Sequence, residues 1–274
     1  MKVAFQGEAG AYSEQAVFGY FGSVEAVSCE SFEAVFEAVN SGKCESALIP
    51  IENSLAGSIH QNYDLLLRND LQITGEYFLR VRHCLIAMPG VQKSDIKKAI
   101  SHPQALGQCA AYLRSHGIEA EQAYDTAGSV KILKESGARD TAAIASRRAA
   151  ELYGMHILEE GIEDNAENYT RFLAIQHDAV ISNGGPEPGP IKTSIVFTLK
   201  NEPGALFKAL SVFALRDLDL TKIESRPLAG SPWEYLFYVD FIGATHEDTT
   251  KRALEHLGEY ALMLRVLGSY PRFK

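Results

Sequence analysis

Residues 1–181 alternate short apolar runs with segments of helical periodicity, which predicts an α/β domain. The run Ala47–Ile51 has no charged or hydrogen-bonding side chain and stops at Glu52, as expected for a buried strand. Ser31–Gly42 places apolar residues at helical spacing between a capping serine and a terminating glycine, which predicts an amphipathic helix. Further strands are predicted at Val3–Phe5, Ile73–Leu79, Cys84–Met88, Lys98–Ser101, Ala142–Ala145 and Thr170–Ile175, and further helices behind a Ser13 cap and over Pro103–Ser115 and Thr126–Ser136. Strand followed by helix and then strand is typical of parallel α/β sheets, which place ligands at the carboxyl ends of their strands.

A second domain is predicted after the segment 182–190, which is too rich in glycine and proline to continue a helix or a central strand. Residues 191–274 follow the order strand, helix, strand, strand, helix, strand, the pattern of a ferredoxin-like βαββαβ unit. Its strands are predicted near Ile195–Leu199, Leu218–Glu224, Tyr235–Ile242 and Leu262–Ser269, and its helices behind Pro203 and over His246–Leu257.

Composition narrows the class of protein. Hydrophobic residues make up 46% and charged residues 22% of 274 residues, as in ordinary globular proteins. A formal net charge of -9 without a basic run argues against nucleic-acid binding, and no apolar run reaches the roughly 18 residues of a membrane span. The N-terminal apolar run is too short for a signal peptide, and the four scattered cysteines fit small core residues in a reducing compartment. We therefore expect a cytoplasmic protein that binds neither nucleic acid nor membranes.

Small residues, hydroxyls and amides gather where the predicted strands end. They occur at Gly7–Ser13, Glu52–Ser58, His102–Gln104, Asp125–Ser129 and Thr170–Arg171. Helix starts of this kind leave backbone N–H groups for an anion, and arginine can hold a carboxylate with two parallel bonds. Each segment taken alone also fits an ordinary cap or turn, and Thr170–Arg171 an edge strand with a solvated arginine. Five such ends together favour a cleft for a small ligand with carboxylates.

Motifs for other chemistries are missing. The chain has no GxGxxG after a strand, no GxxxxGK[ST] and no HExxH, and its cysteines and histidines lack metal-ligand spacing. His60, His83 and His102 are each interpreted as hydrogen-bonded structural histidines. We expect chemistry without a metal, a cofactor or a covalent nucleophile.

The segments at these strand ends resemble those of the prephenate dehydratases, in their monofunctional form. The resemblance rests on four segments in order: Gly7–Ser13, Pro50–Ser58, Ser101–Cys109 and Asn168–Phe172. Residues 191–274 resemble an ACT regulatory domain through Pro203–Leu206 and Glu224–Pro227. Gln6–Gly10 and Phe207 depart from the usual family residues. The resemblance implies a two-lobed catalytic domain like type II periplasmic binding proteins over 1–181, with lobes of about 1–77 with 168–181 and 78–167.

The resemblance also implies an activity and a set of site residues. The family converts prephenate to phenylpyruvate, carbon dioxide and water, for phenylalanine biosynthesis, and needs no cofactor. The implied catalytic residues are Thr170, Asn53 and Gln104, and the implied substrate-binding residues are Ser13, Ser54, Gly57, Ser58, Thr126, Arg171 and Phe172. Thr170 would donate to the departing hydroxyl, directly or as a relay, and Arg171 would hold a carboxylate or brace the site.

For the second domain, the resemblance implies that L-phenylalanine binds between ACT domains of two subunits in a dimer or tetramer. The implied effector residues are Gly204, Ala205, Leu206, Glu224, Ser225, Arg226 and Pro227. A plain dimer interface is the alternative interpretation of these segments. For the whole chain, arogenate dehydratase and a non-catalytic amino-acid sensor remain the alternatives.

Overall fold

The computed structural model describes residues 1–177, 189–228 and 234–273. The described chain divides into two compact units, one of Met1–Tyr63 with Tyr77–Phe172 and one of Asp64–Glu76 with the described residues from Leu173 onward. Residues 182–188 of the predicted linker 182–190 lie outside the described residues. The predicted domain and lobe boundaries stay predictions.

The elements alternate along the chain much as the hydrophobic pattern predicts. The strands are β1 Lys2–Gln6, β2 Glu25–Cys29, β3 Ser46–Asn53, β4 Gly57–Ser58, β5 Gln72–Arg80, β6 Cys84–Ala87, β7 Lys98–Ser101, β8 Glu119–Gln122, β9 Thr141–Ala145, β10 His156–Glu160, β11 Tyr169–Gln176, β12 Ile191–Leu199, β13 Leu220–Pro227, β14 Tyr235–Ile242 and β15 Ala261–Pro271. The helices are α1 Tyr12–Phe21, α2 Phe32–Asn40, α3 His60–Arg68, α4 Pro103–Gln108, α5 Ala110–His116, α6 Thr126–Ser136, α7 Arg147–Tyr153, α8 Ala205–Ala214 and α9 Asp248–Tyr260.

Two mixed sheets form in the part of the chain before residue 177. The first has the strand order β2-β1-β3-β11-β5, with β4 paired to β3, and β1 runs parallel to both its neighbours. The second has the order β10-β6-β9-β7-β8, in which β7 is parallel to β8 and β9 while β6 is antiparallel to β9 and β10. The antiparallel strands make the sheets mixed, where the strand–helix pattern predicted parallel ones.

Three helix boundaries show how far the predicted caps and lengths hold. Ser31 caps α2 as predicted, accepting from the N–H of Ala34 at 3.2 Å. Ser13 does not cap α1, because the N-cap is Ala11 and Ser13 lies within the first turn. The single helix predicted over Pro103–Ser115 is wrong, since Cys109 leaves helical geometry and separates α4 from α5.

The third sheet is antiparallel, with the order β13-β14-β12-β15, and the helices α8 and α9 contact each other beside it. Phe197, Phe213 and Phe241 are fully buried in the cluster of apolar residues that the helices cover. Strand, helix, strand, strand, helix, strand is the order observed, so the predicted βαββαβ unit is confirmed.

Candidate active site

A cavity of about 190 Å³ lies in the first unit, where strands of its two sheets end. Its walls combine hydroxyl, amide and imidazole groups with a few apolar side chains. They are Tyr12, Ser13, Pro50, Asn53, Ile59, Val81, His83, His102, Gln104, Ala105, Gln108, Thr126, Thr170 and Phe172. Among the described residues that line it, none is Asp, Glu, Lys or Arg.

Thr170 meets Asn53 at one wall of this cavity. Asn53 Nδ2 donates to Thr170 Oγ1 at 3.0 Å and to Asn168 Oδ1 at 2.9 Å. Asn53 Oδ1 accepts the backbone N–H groups of Leu55 at 3.0 Å and Ala56 at 2.9 Å. Because these N–H groups can only donate, they fix which end of the Asn53 amide is the oxygen. Thr170 Oγ1 is therefore an acceptor here, and the part of the chain that the structure describes offers no acceptor for its own proton.

The hydrogen bonds continue from Asn53 to the opposite wall. Fully buried Asn168 donates through Nδ2 to Gln108 Oε1 at 3.1 Å. Gln108 Oε1 also lies 2.8 Å from His83 Nε2, and His83 Nδ1 lies 2.8 Å from the hydroxyl of Tyr12. This hydrogen-bond chain links residues up to 158 positions apart, from Tyr12 to Thr170, and it holds the cavity wall in one arrangement.

Burial shapes the ionisation of this wall. His83 is 2% exposed, and burial lowers its pKa, while the bond to Gln108 and the charge of Glu163 oppose that shift. Burial raises the pKa of the Tyr12 hydroxyl well above its usual value and that of the Cys84 thiol to about 12. Near neutral pH the tyrosine and the thiol are therefore uncharged.

Three further predicted residues line the cavity with polar groups. Ser13 lies in the first turn of α1, Gln104 in the first turn of α4, and Thr126 is the first residue of α6. The described residues supply no hydrogen-bond partner for these three side chains. They are thus able to meet a ligand without first breaking a bond within the protein.

Of the two predicted substrate-binding residues on β11, one lines the cavity and the other does not. Phe172 lines the cavity and is 1% exposed, whereas Arg171 does not line it and is 6% exposed. Successive side chains of a strand point to opposite faces, so Thr170 and Phe172 share one face of β11 and Arg171 takes the other. The structure does not bring Arg171 to the cavity.

The loop after β3 also lies outside the cavity lining. The hydroxyl of Ser54 donates to the carbonyl of Glu167 at 2.7 Å and accepts the N–H of Tyr169 at 2.9 Å, so it ties this loop to the start of β11. Gly57, with φ of +82°, and Ser58 form β4, which pairs back onto β3. None of these three residues is among those that line the cavity.

The loop after β1 is tied to the start of α7. Ser146 Oγ donates to the carbonyl of Gly10 at 2.6 Å. Gly10 has φ of +91°, and a Cβ there would lie 2.9 Å from Ala149 Cα. Only glycine allows this close approach, which holds the first turn of α1 near the cavity.

Part of the lining was not predicted as site residues. These lining residues are Tyr12, His83, His102 and Gln108 among the polar ones and Pro50, Ile59, Val81 and Ala105 among the apolar ones, although Tyr12 and His102 lie in segments predicted to surround the cleft. A signal for Gln108 exists, because it follows the predicted Gln104 by four residues and so falls on the same helix face.

The predicted effector residues occupy two places in the third sheet's domain. Gly204, with φ of +79°, is the N-cap of α8, and Ala205 and Leu206 line a second cavity of about 120 Å³. Glu224, Ser225, Arg226 and Pro227 lie on β13 and do not line it. Arg226 pairs with Asp64 at 3.1 Å. The cavity's other walls are Leu199, Lys200, Asn201, Glu202, Glu234, Tyr235 and Phe237.

Within residues 1–177, 189–228 and 234–273, no group of three or more His, Cys, Asp or Glu side chains could hold a metal ion. No helix in the same ranges has the length and apolar character needed to cross a membrane.

Comparison with known proteins agrees with this arrangement. The sequence matches the prephenate dehydratase family over residues 3–180 and the ACT domain family over 193–259. It is 49% identical to "Arogenate dehydratase/prephenate dehydratase 2, chloroplastic" of Arabidopsis thaliana, over 99% of this chain and 73% of the relative. A second relative, "Arogenate dehydratase 2" of Petunia hybrida, is 48% identical over 99% of this chain and 72% of its own length.

Solved structures show the same fold. The prephenate dehydratase of Arthrobacter aurescens in complex with L-Phe has a TM-score of 0.88 and 31% identity, covering 99% of this chain and 90% of that one. A structure described as "GqqA- a novel type of quorum quenching acylases" has a TM-score of 0.91 and 35% identity, covering 100% of this chain and 98% of that one.

The fold and cavity together define a carbon–oxygen lyase with a two-lobed α/β catalytic part and a ferredoxin-like regulatory domain. The chain belongs to the prephenate dehydratase family and carries an ACT domain. The predicted fold class, with a catalytic part like type II periplasmic binding proteins, is confirmed by these structures.

The prediction of a cytoplasmic protein is wrong by this comparison. Several curated relatives that match nearly the whole chain carry "chloroplastic" in their names, including two from Arabidopsis thaliana at 49% and 47% identity. Apolar runs and scattered cysteines bear on secretion and on membrane spans, but they do not distinguish the cytoplasm from a plastid.

Proposed function

We propose that this protein catalyses the decarboxylative dehydration of prephenate to phenylpyruvate in L-phenylalanine biosynthesis. The ring hydroxyl leaves with a proton as water, and the electron pair of the breaking carbon–carboxylate bond enters the ring. Carbon dioxide and an aromatic monocarboxylate are the other products. One proton is consumed for each dianion converted, and the balance needs no oxidant or cofactor.

The observation that carries the proposal is the direction of the bond between Asn53 and Thr170. Since Thr170 Oγ1 accepts from Asn53, the threonine proton remains for a ligand in the cavity. A hydroxyl oriented in this way donates to the departing ring hydroxyl, either as the proton source or as a relay. A positioned proton donor contributes about 10²–10⁴-fold to a rate.

The other predicted residues take supporting roles. Ser13, Gln104 and Thr126 donate to the substrate from helix starts, and Gln104 assists the reacting end. Phe172 supplies an apolar wall. Ser54, Gly57 and Ser58 shape the loop after β3 and so act on the substrate through Asn53, and Arg171 braces β11 from its other face.

Substitution of Thr170 tests the catalytic role. Thr170→Val keeps the shape of the side chain and removes the donor, so kcat for prephenate should fall about 10²–10⁴-fold while KM changes only a few-fold. Thr170→Ser, which keeps the hydroxyl, is the matched control and should retain most of the activity. Phenylpyruvate absorbance follows the reaction, and a Thr170→Val enzyme with near-normal kcat would remove the role from this residue.

Arogenate is the second candidate substrate, because the relatives' names include it. Arogenate carries an ammonium group where prephenate has a ketone. No carboxylate side chain belongs to the described lining of the cavity, so that ammonium would lack a counter-charge there. This observation favours prephenate, and comparison of kcat/KM for the two substrates on one enzyme preparation tests the preference.

An acylase activity is named for one similar structure. Hydrolysis of an amide usually needs a nucleophile activated by a base or a metal. His83, which has bonded partners at both ring nitrogens, contacts only the hydroxyl of Tyr12 among the described hydroxyls. That hydroxyl also lies 2.9 Å from the carbonyl of Arg82, which makes it a poor nucleophile. The geometry therefore favours dehydration.

We further propose that L-phenylalanine binds the ACT domain and regulates the enzyme. The cavity beside Gly204 supports a small ligand site, and Glu224, Ser225, Arg226 and Pro227 would complete it in a dimer or tetramer. Phe207 is 77% exposed on α8, and Ile223 is 47% exposed on β13, which supports self-association. Equilibrium dialysis with labelled L-phenylalanine tests binding, and sedimentation velocity tests assembly.

A further inference from the structure

The hydrogen-bond chain beside the cavity fixes the ring of His83 from one side. The N–H groups of Leu55 and Ala56 set the amide of Asn53, which must donate to Asn168 Oδ1. Asn168 then donates to Gln108 Oε1. Each amide in turn leaves only one orientation for the next, so Gln108 presents an oxygen to His83.

His83 Nε2 must therefore carry a proton. It lies 2.8 Å from Gln108 Oε1, an acceptor, and that bond exists only if the nitrogen donates. This conclusion follows from the backbone N–H groups of Leu55 and Ala56, which orient the first amide of the hydrogen-bond chain, and it does not depend on pH.

On the other side of the ring, at Nδ1, a neutral His83 leaves two acceptors for a single hydroxyl proton. The hydroxyl of Tyr12 lies 2.9 Å from the carbonyl of Arg82 and 2.8 Å from His83 Nδ1. With a neutral ring, both neighbours are acceptors and the single hydroxyl proton serves only one of them. With a proton on Nδ1 as well, His83 donates to the tyrosine oxygen, the tyrosine donates to Arg82, and every contact is a hydrogen bond.

Burial opposes that second proton when no ligand lies in the cavity, whereas the nearest charge favours it. The ring packs against Tyr12 from α1 and Gln108 from α4, both uncharged, and Cys84 beside it is a neutral thiol. Glu163, whose carboxylate accepts the backbone N–H of His83 at 2.9 Å, is the nearby anion, and Arg82 is the neighbouring cation. Burial dominates and lowers the pKa of His83.

A dicarboxylate in the cavity changes this balance. The described lining offers it no lysine or arginine, so the available cations are the imidazolium forms of its two histidines, His83 and His102. Nδ1 of His102 already accepts the backbone N–H of Gln104 at 3.2 Å, so a second proton there would break a hydrogen bond, whereas on His83 Nδ1 it would complete one. A carboxylate within a few ångströms favours the imidazolium.

We infer that His83 takes up a second proton as a dicarboxylate substrate enters the cavity, and that its imidazolium, held between Tyr12 and Gln108, is the cation that balances the bound dianion. This inference rests on the proposed function, and it adds His83 and Tyr12 to the residues that recognise the substrate.

The pH dependence of kcat/KM for prephenate, measured on the full chain between pH 5.5 and 9, tests the inference. Only free enzyme with protonated His83 binds productively, so kcat/KM should fall about tenfold per pH unit above the pKa of free His83. In the complex the substrate carboxylates stabilise the imidazolium and so raise the pKa of His83. The value of kcat should therefore stay constant up to a higher pH than kcat/KM does.

Two substitutions assign the effect to this pair. His83→Gln keeps a donor toward Gln108 but cannot titrate, so kcat/KM should be lower and should lose its slope with pH. Tyr12→Phe removes the acceptor for the second proton, so the inflection should move to lower pH. His116→Gln, on the exposed side of α5, is the control and should leave the profile unchanged.

Each outcome bears on one claim. A wild-type kcat/KM that is flat with pH, or a slope that persists in His83→Gln, would overturn the inference while turnover of prephenate upholds the proposed function. If His83→Gln does not fold, the shift in Tyr12→Phe decides, and an unmoved inflection there counts against the pair. Absence of any turnover of prephenate by the wild type would instead refute the proposed function.

Discussion

The cavity wall and the interior of the second unit both bury polar side chains, but they use different chemistry. In the wall, buried Asn53 and Asn168 are neutral amides, and Asn53 donates both to Thr170 and to Asn168, which in turn donates to Gln108. In the second unit, Lys192 Nζ lies 2.8 Å from both carboxylate oxygens of Glu76, and the two side chains are 5% and 0% exposed.

The difference follows from what each region must do. A buried ion pair satisfies its own charges and joins two segments, here β5 and β12. Neutral amides hold their neighbours in place, and because Thr170 accepts from Asn53, its own proton remains available as a donor. Such a wall can accept a dianion without first separating an internal salt bridge.

Reversing the hydrogen bond from Asn53 to Thr170 should have the largest effect, a loss of kcat. Asn53→Asp keeps an acceptor for the N–H groups of Leu55 and Ala56 but turns the donor toward Thr170 into an acceptor. The threonine proton would then be drawn to the aspartate and away from the substrate. We expect kcat to fall about 10³-fold, equivalent to about 4 kcal/mol in the barrier.

A double-mutant cycle separates this mechanism from simple repulsion of the substrate. If Asn53 acts through Thr170, Asn53→Asp combined with Thr170→Val should lose little more kcat than the worse single variant. Multiplicative losses would mean that the two residues act independently. Steady-state kinetics on the four proteins, with circular dichroism to check folding, decides between these results.

Breaking the ion pair of the second unit should come next. Lys192→Met leaves the Glu76 carboxylate buried without its cation, although the N–H of Phe273 still donates to it at 3.1 Å. We expect the free energy of unfolding to fall by about 3 kcal/mol. Urea unfolding followed by circular dichroism measures this change.

The double variant Lys192→Met with Glu76→Leu tests the cause. It removes both charges, so it should recover much of the loss if an unpaired charge is responsible. A double variant as unstable as the single one would point to lost packing instead.

Periodicity predicted most of the fold because most elements bury one face. It missed β8, whose four residues are all exposed and carry little apolar pattern, because pairing with β7 rather than burial defines that strand. It also missed the break at Cys109, since the residues on both sides have ordinary helical composition. Antiparallel pairing of β6 with β10 depends on long-range packing, which no local pattern encodes.

The candidate site, too, can be predicted from local sequence patterns only in part. Motif reasoning placed Thr170, Asn53 and Gln104 at strand ends, and the period of two along β11 could already have separated Arg171 from its neighbours. The partnership of Gln108 with His83 could not be predicted, because the two residues meet only through the fold.

The smallest effect should come from Arg265, which donates to carbonyl groups at the carboxyl end of α3. Arg265 on β15 donates to the carbonyl of Leu67, in the last turn of α3, at 2.9 Å and to that of Asn69, directly after the helix, at 2.7 Å, so its fork holds the end of α3. Arg265→Lys keeps the charge but reaches only one carbonyl well, which should lower the free energy of unfolding by about 1 kcal/mol. Arg252→Lys, on the exposed side of α9, is the matched control and should change nothing measurable. An equal loss in both variants would show that the forked geometry of Arg265 at the end of α3 does not contribute to stability.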